Sequence, residues 1–234
     1  MRHQHKRLAV AAMSVTALGA GGWLMGPNVA TAAPAATTTS TATTATATTY
    51  PSYTSMSARL DALNNSGVRG TAKVSVKVTG DRINVQVKAG GLLRKQPHAM
   101  HIHHGATAKH ECPTVRQDKN RDHRLNTVEG IPLYGPIAVS LTTKGDTSPK
   151  SALAVDRFSN TPRGSLNYYR SSIKVDKKLA AAIKRGEAVV VIHGLDYNQN
   201  GKYDFKGAGA SELNAAFPAE ATDPAACGVL NHKH

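Results

Sequence analysis

Aromatic and acidic residues are scarce in this chain of 234 residues. It has one tryptophan, three phenylalanines and seven tyrosines. So few rings argue against the stacking surfaces that bind single-stranded nucleic acids, and no nucleic-acid-binding motif is present, so we expect no nucleic-acid partner. The 15 acids face 29 lysines and arginines, for a formal net charge of +14. A basic surface attracts small anions or anionic cell-wall polymers, and a merely solvated basic surface is the alternative.

Beyond residue 32, the chain lacks a strongly apolar run that is long enough to cross a membrane. Residues 1–32 have the pattern of a secretory signal: a basic start, an apolar stretch over residues 8–26, and Ala30-Thr31-Ala32 as a cleavage site. A membrane anchor is the alternative, but the glycines at residues 19–22 weaken it. We therefore expect a secreted protein, extracellular or associated with the cell wall, with no transmembrane span in the mature chain.

Composition divides the rest of the chain. Residues 33–57 are rich in Thr and Ala and predict a disordered linker. Residues 58–230 are enough for one domain with a hydrophobic core, and residues 231–234 form a tail. No phosphate-binding glycine loop and no Ser-His-Asp arrangement is recognisable.

Alternating apolar and polar residues predict a domain made of β-strands. Residues 71–78 and 82–88 alternate around a Gly-containing turn and predict a hairpin. Further strands are predicted around residues 98–103, 137–142, 166–175 and 189–193. A short helix is predicted over residues 177–186, and residues 58–63 are compatible with a helical turn. The pattern is typical of an all-β sandwich or barrel with long loops.

Three histidines form a candidate metal site. His101 and His103 are two residues apart in a predicted strand, so their side chains point to the same face. His193 ends a second apolar strand and could supply a third imidazole. Imidazole ligands suit copper. A structural role in packing is the alternative for all three.

The two cysteines, Cys112 and Cys227, favour a disulfide because the chain is predicted to be exported. Two free buried thiols are the alternative.

Taken together, these residues resemble the copper/zinc superoxide dismutase family. The resemblance rests on the hairpin, on His98-x-x-His101-x-His103 with Cys112 nine residues later, on Val191-Ile192-His193, and on Ala226-Cys227-Gly228-Val229. It spans most of the chain from Gly70 to Leu230. It implies an eight-stranded Greek-key β-barrel, His101, His103 and His193 as copper ligands, a Cys112–Cys227 disulfide, and superoxide as the substrate.

The chain departs from the family at two functional positions. Asp118 stands where the family has the histidine that bridges the two metals, six residues after the first cysteine. Pro224 stands where the family has an arginine over the copper. The zinc ligands are also missing, since His123 is the only histidine in residues 113–163. Zinc is therefore not expected, and His110 and His123 are candidates for a fourth copper ligand.

Two loops match the spacing of calcium-binding loops, in which oxygen ligands fall at positions 1, 3, 5, 7, 9 and 12. The first loop offers Asp118, Asn120, Asp122, the carbonyl of Arg124, Asn126 and Glu129. The second loop offers Asp196, Asn198, Asn200 and Asp204. His123 replaces the usual glycine of the first loop, and Gly207 leaves the second without its closing carboxylate, for which Glu212 is a candidate. Ordinary Asp/Asn turns are the alternative for both.

The sequence thus leaves two functions open. One is an exported copper enzyme that dismutates superoxide at a three-histidine site. The other is a non-enzymatic barrel, stabilised by calcium, that binds metal or the cell wall.

Overall fold

The fold is described from a computed structural model, which covers residues 52–232. The predicted signal over residues 1–32, residues 33–51 of the predicted linker and the last two residues lie outside this part of the chain.

Most of the regular structure is β. The strands are β1 (Tyr53–Ala62), β2 (Arg69–Lys77), β3 (Arg82–Gly90), β4 (Pro97–His98), β5 (Met100–His103), β6 (Ile137–Ser140), β7 (Ser159–Asn160), β8 (Ser165–Lys174), β9 (Val189–His193), β10 (Pro224–Val229) and β11 (Asn231–His232). Nine of them form one sheet in the order β6-β5-β9-β10-β1-β2-β3-β8, with β11 also paired to β1. The pairs are antiparallel, and β4 and β7 form a separate small ribbon.

Alternating burial explains why β1, β2, β3 and β8 form one wall of the main core. In β2 and β3 every second side chain is buried, including Val74, Val76, Val85 and Val87. The predicted hairpin is therefore confirmed, with Val74 opposite Val85. The polar residues between them face outward, as expected for a sheet with one buried face.

The sheet is curled, so that its two edge strands come near each other. Tyr168 and Arg170 of β8 both donate to the carbonyl oxygen of Thr142, at 3.2 Å and 2.7 Å, and Thr142 follows the other edge strand, β6. The mostly antiparallel, curled sheet confirms the predicted all-β architecture. The Greek-key arrangement of the resemblance stays a prediction.

The beginning and end of the domain differ from the prediction. Residues 58–63 are not helical, because Met56, Ala58 and Leu60 alternate into the core as part of β1. That strand starts at Tyr53, inside the predicted linker and five residues before the predicted domain start at Ala58. The predicted tail also begins in a strand, because Asn231 pairs with Ser57.

Helices are more numerous than the single one predicted. The predicted one is α2 (Lys177–Lys184), which is capped by Asp176. The others are α1 (Thr127–Tyr134), α3 (Phe205–Ala208) and α4 (Ala219–Thr222). All three lie in the long loops after β5 and β9. They were not predicted, because the Asp and Asn residues of these loops favour turns. Among residues 52–232, no helix combines the length and apolarity that crossing a bilayer requires.

Candidate metal centre

The three predicted histidines lie on one face of two neighbouring strands. His101 of β5 is opposite Val191 of β9, and His103 is opposite Val189. His193 is two residues beyond Val191, so it points to the same face as the other two histidines. The intervening residues, such as Ile102, point to the opposite face and belong to the main core.

This histidine face is covered by loops rather than open to solvent, so β9 is buried on both sides. Val189 and Val191 pack with Tyr134 of α1 and with Cys227 in a second, smaller apolar cluster. Burial on both faces explains the continuous apolar run that ends at His193. The predicted disulfide is confirmed, and it ties Cys112 of the covering loop to β10.

Each histidine is oriented by a backbone carbonyl from a different covering segment. His103 Nδ1 donates to Gly135 O at 2.8 Å, His193 Nδ1 to Thr222 O at 2.6 Å, and His101 Nε2 to Ala152 O at 3.1 Å. A carbonyl oxygen can only accept, so the proton of each neutral imidazole is on the nitrogen that faces the carbonyl. The other nitrogen of each ring must therefore carry a lone pair.

Those other nitrogens have no hydrogen-bond partner. They are His101 Nδ1, His103 Nε2 and His193 Nε2, and all three are buried. One ligand nitrogen from each ring lies within 4.8 Å of the other two. Buried polar atoms are normally paired. Three unpaired ring nitrogens that converge on one point therefore have the arrangement of ligands around a metal cation.

The rings are neutral at physiological pH. Burial lowers the pKa of His193 to about 4 and, together with the nearby His193 ring, lowers that of His103 to about 3. Burial likewise holds the pKa of His101 well below its ordinary value. Because a histidine binds metal only when it is deprotonated, these imidazoles are ready to act as ligands at pH 7.

The surrounding residues fix the rings further. Tyr134 packs on His103 with ring centroids 4.5 Å apart, and its hydroxyl donates to Thr127 O at 2.8 Å. Gly135 has φ of 89°, so a side chain there would strain the segment that presents its carbonyl to His103. The sequence contains no local signal that would have assigned Tyr134 to this site.

The other histidines do not join the cluster. His98 is buried, and its Nδ1 lies 2.9 Å from His193 O, which fits a role in holding the end of β9. His110 stacks on His104, with ring centroids 5.1 Å apart. Within residues 52–232, no other cluster of three or more His, Cys, Asp or Glu side chains converges in this way, and neither His110 nor His123 belongs to this one.

Asp118, at the position of the bridging histidine, is likewise outside the cluster. It belongs to the first Asp/Asn-rich loop, where its Oδ1 accepts from the N–H group of Arg121 at 2.7 Å. Pro224 is buried and pairs with His193.

In the first Asp/Asn-rich loop, hydrogen bonds converge on Glu129. Its Oε1 accepts from the N–H groups of Lys119 and Asn120, at 2.8 Å and 3.4 Å, and its Oε2 accepts from that of Asn126 at 3.1 Å. Counted from Asp118, these donors are positions 2, 3 and 9. Asn126 also caps α1 by accepting from the N–H group of Glu129 at 2.9 Å.

The second loop repeats this pattern with a glutamate that comes from α4. Glu220 Oε1 accepts from the N–H groups of Tyr197 and Asn198, at 2.8 Å and 3.4 Å. Its Oε2 accepts from that of Asp204 at 2.8 Å. Counted from Asp196, these donors are again positions 2, 3 and 9, so Glu220 corresponds to Glu129.

Glu212, the candidate for the closing carboxylate of the second loop, does not take the place of Glu220 in this pattern. Its carboxylate lies 3.6 Å from the Arg124 guanidinium instead. Glu220 is fully buried, and its carboxylate occupies the space that a side chain on Gly207 would need. The sequence could not identify Glu220 because it is far from the loop along the chain.

Position 6 has the same backbone conformation in both loops. His123 has φ of 65° and Gly201 has φ of 84°. The N–H group of each donates to the first aspartate of its loop, Asp118 at 3.0 Å and Asp196 at 2.7 Å. The first loop thus takes the left-handed turn even though it lacks the glycine.

Positions 3 and 5 also correspond. Asn120 Oδ1 accepts from the N–H group of Asp122 at 3.1 Å, and Asn198 Oδ1 accepts from that of Asn200 at 3.2 Å. The Arg124 N–H group donates to Asp122 Oδ1 at 2.9 Å. The two loops therefore make the same turn, with the side chains at matching positions accepting from matching backbone N–H groups.

A buried aspartate connects the two loops to the histidine site. Asp223 Oδ2 accepts from Arg124 of the first loop at 2.8 Å and from the Tyr197 hydroxyl of the second at 2.9 Å. The preceding residue, Thr222, supplies the carbonyl that orients His193. The burial of Asp223 raises its pKa to about 7, although Tyr197 and Arg124 act in the opposite direction.

No protein-family model matches the chain. No curated protein matches it either.

Proposed function

We propose that this chain binds copper through His101 Nδ1, His103 Nε2 and His193 Nε2, as a divergent relative of the copper/zinc superoxide dismutases that lacks a zinc site. The observation that carries the proposal is the convergence of three buried ring nitrogens that have no other partner. When bound, copper would supply one-electron redox chemistry.

The donor set fits copper. Imidazole binds copper, zinc, iron and nickel, and among divalent first-row ions a given site generally binds copper most tightly. The cluster contains no carboxylate and no thiolate. The protein's part is to hold three neutral rings by their N–H groups and to exclude water from them, as outer hydrogen bonds do at metal sites.

The disulfide supports a location outside the cytosol. Disulfides persist in oxidising compartments, and the Cys112–Cys227 bond is compatible with an extracellular protein. We propose secretion on this basis together with the signal pattern of residues 1–32.

The binding experiment compares two histidine variants. Purified full-length protein is titrated with Cu²⁺, and with Cu⁺ under reducing conditions, against a chelator of known affinity. We expect one tight site per chain and an affinity at least about a hundred-fold weaker in His193→Ala, since even outer-shell changes cost up to this much. His104→Ala is the matched control, because His104 lies outside the cluster. Equal binding by His193→Ala and wild type would contradict the proposal, and a preference for Zn²⁺ would assign the site to zinc.

Dismutation of superoxide is the activity that the resemblance implies for a copper-loaded site, and it separates the two functions left open. Activity well above that of free copper, and absent from His193→Ala, would make the protein an enzyme. Full copper binding without such activity would make it a copper-binding protein.

We propose further that the two Asp/Asn-rich loops bind calcium. The matched hydrogen bonds around Glu129 and Glu220 support this, because calcium loops close on a glutamate at the end of the oxygen set. Bound calcium would order the two segments that cover the histidine face.

The calcium test rests on the choice of glutamate. Calcium is expected to raise the melting temperature of the full-length protein, and Glu220→Gln should remove the part of that rise due to the second loop. Glu212→Gln is the control, because Glu212 is exposed and its carboxylate is not a ligand in the proposed second calcium loop. A melting temperature that does not respond to calcium would contradict the proposal.

A further inference from the structure

Two buried glutamates lie on the short helices that orient the histidine rings. They are Glu129 of α1 and Glu220 of α4, and the proposed copper site uses neither side chain. Burying a carboxylate is costly unless it is well hydrogen-bonded. Each of these two accepts from three backbone N–H groups of an Asp/Asn-rich loop. Each glutamate therefore fixes one loop to one helix.

The first helix connects its loop to His103. Glu129 holds the loop at the first turn of α1. At the other end of the helix, Tyr134 packs on His103 with ring centroids 4.5 Å apart. The next residue, Gly135, ends the helix by donating its N–H group to Ile131 O at 2.8 Å, and its carbonyl accepts from His103 Nδ1. A movement of α1 would therefore shift both groups that orient the His103 ring.

The second helix connects its loop to His193. The side chain of Glu220 holds the loop, while its carbonyl accepts from the Leu195 N–H group at 2.9 Å, just beyond the end of β9. Two residues later, the Thr222 carbonyl accepts from His193 Nδ1 at 2.6 Å. One helical turn thus carries both the glutamate that closes the loop and the carbonyl that orients the His193 ring.

The two helices also contact each other beside the histidine site. The Thr127 hydroxyl, at the start of α1, donates to the Thr222 carbonyl, at the end of α4, at 2.5 Å. His101 differs, because the carbonyl that orients its ring belongs to Ala152, in the loop between β6 and β7. The Asp/Asn-rich loops are therefore connected to the orienting carbonyls of two of the three histidines.

We infer that the two Asp/Asn-rich loops control the metal affinity of the histidine site, with Glu129 and Glu220 as positioning residues: a calcium ion bound in either loop holds its helix in place and so strengthens copper binding. The inference rests on the proposed function, because it assigns the regulation of that same site. The physical reason is entropic. Order that calcium has already imposed on the helices is not lost again when copper binds, which gives positive coupling.

The charges of the two ions act in the opposite direction, because cations repel each other. Water and salt screen charges best at exposed positions. Most of the loop ligands are exposed, including Asn120, Asp122, Asn198 and Asn200. We therefore expect the ordering of the helices to outweigh the repulsion, so that calcium raises the affinity for copper.

The first test needs no copper. In metal-free full-length protein at neutral pH, proton–nitrogen NMR spectra of the imidazoles report which ring nitrogen carries the proton. Glu220→Gln should disturb the His193 ring, because a Gln amide cannot accept from all three N–H groups. Glu129→Gln should likewise disturb the His103 ring. The His101 ring should be unchanged in both variants, which a general loss of structure would not allow.

The second test measures the affinity of full-length protein for Cu²⁺ with and without saturating calcium, at physiological salt, against a chelator that does not bind calcium. Calcium should raise the copper affinity at least about five-fold, and copper should raise the calcium affinity by the same factor. Glu129→Gln and Glu220→Gln should each reduce this gain. Glu111→Gln is the matched control, because Glu111 is exposed and outside both loops. The wild-type comparison does not depend on the folding of any variant.

The outcomes separate the proposals. Independent binding of the two ions, copper binding weakened by calcium, or a gain that survives both Gln substitutions would overturn the inference and leave the proposed function intact. A protein that binds copper but not calcium would overturn the inference and the calcium proposal only. A protein that does not bind copper would overturn the inference and the copper proposal. A calcium-dependent gain that both Gln variants reduce, with each variant disturbing its own ring, would support the inference.

Discussion

The metal-free protein should lose stability steeply as the pH falls from about 6.5 to about 4.5. An unfolded histidine takes up a proton near pH 6.5, whereas burial lowers the pKa of His193 to about 4 and that of His103 to about 3, with that of His101 also well below normal. Over this range the unfolded state binds more protons than the folded state, so acid favours unfolding. The stabilisation is complete at neutral pH and is lost on acidification.

The size of the effect follows from linkage. By pH 4.5 each of these histidines that stays neutral costs roughly 2 to 3 kcal/mol, or about 7 kcal/mol for the three. Asp223 acts in the opposite direction, because its pKa is raised to about 7 and the folded state takes up its proton first. This proton uptake stabilises the folded state by about 3 kcal/mol, so the net loss in the free energy of unfolding is about 4 kcal/mol. This is a large fraction of the 5 to 15 kcal/mol that usually separates folded from unfolded states.

The assay is urea denaturation at a series of pH values with a metal chelator present. The free energy of unfolding should fall between pH 6.5 and pH 4.5. His101→Gln should reduce that net fall by more than half, since one of these buried histidines accounts for more than about 2 kcal/mol of the net loss of about 4 kcal/mol. Asp146 does not interfere, because its pKa is lowered to about 2 and it titrates below this range. A flat profile for the wild type would refute the reasoning, since it would show that the rings are not held neutral.

Three further perturbations test the scaffold. Replacing Cys112 and Cys227 by serine removes a bond between residues 115 positions apart. In urea denaturation the free energy of unfolding should fall by about 4 to 5 kcal/mol. An unchanged value would contradict the stabilising role of the disulfide. A chain that starts at Ala58 loses half of β1 and should melt well below one that starts at residue 48, as followed by circular dichroism; equal melting temperatures would argue against β1. Gly135→Ala should lower the free energy of unfolding by about 1 to 3 kcal/mol, because φ there is 89°. It should also weaken copper binding through His103. Copper affinity equal to that of the wild type would show that the Gly135 carbonyl does not position the His103 ring.

Local patterns were sufficient for the hairpin and the histidine pair. Residues of β2 and β3 alternate strictly, and the two-residue spacing of His101 and His103 places both on one face of a strand. The apolar run of β9 also indicated a buried strand, although it did not reveal that a second small core around Tyr134 covers its other face. That core forms from loops, whose paths depend on contacts between distant residues.

The misses have physical causes of the same kind. Residues 53–57 are rich in Thr and Ser and were assigned to the linker, yet Met56 is buried because β2 and β10 provide partners for β1. The helix-favouring residues Ala58 and Leu60 likewise follow the alternation of a strand, since tertiary packing outweighs weak local propensity. Glu220 reaches the second loop from α4, which no local pattern predicts.

Anomalous diffraction from crystals of the copper-loaded protein tests the central claim most directly. The account predicts one strong copper peak within bonding distance, about 2.0 to 2.1 Å by analogy with zinc–imidazole bonds, of His101 Nδ1, His103 Nε2 and His193 Nε2. The main copper peak at another site, such as the stacked His104 and His110 pair, with the three buried nitrogens left without metal, would contradict it.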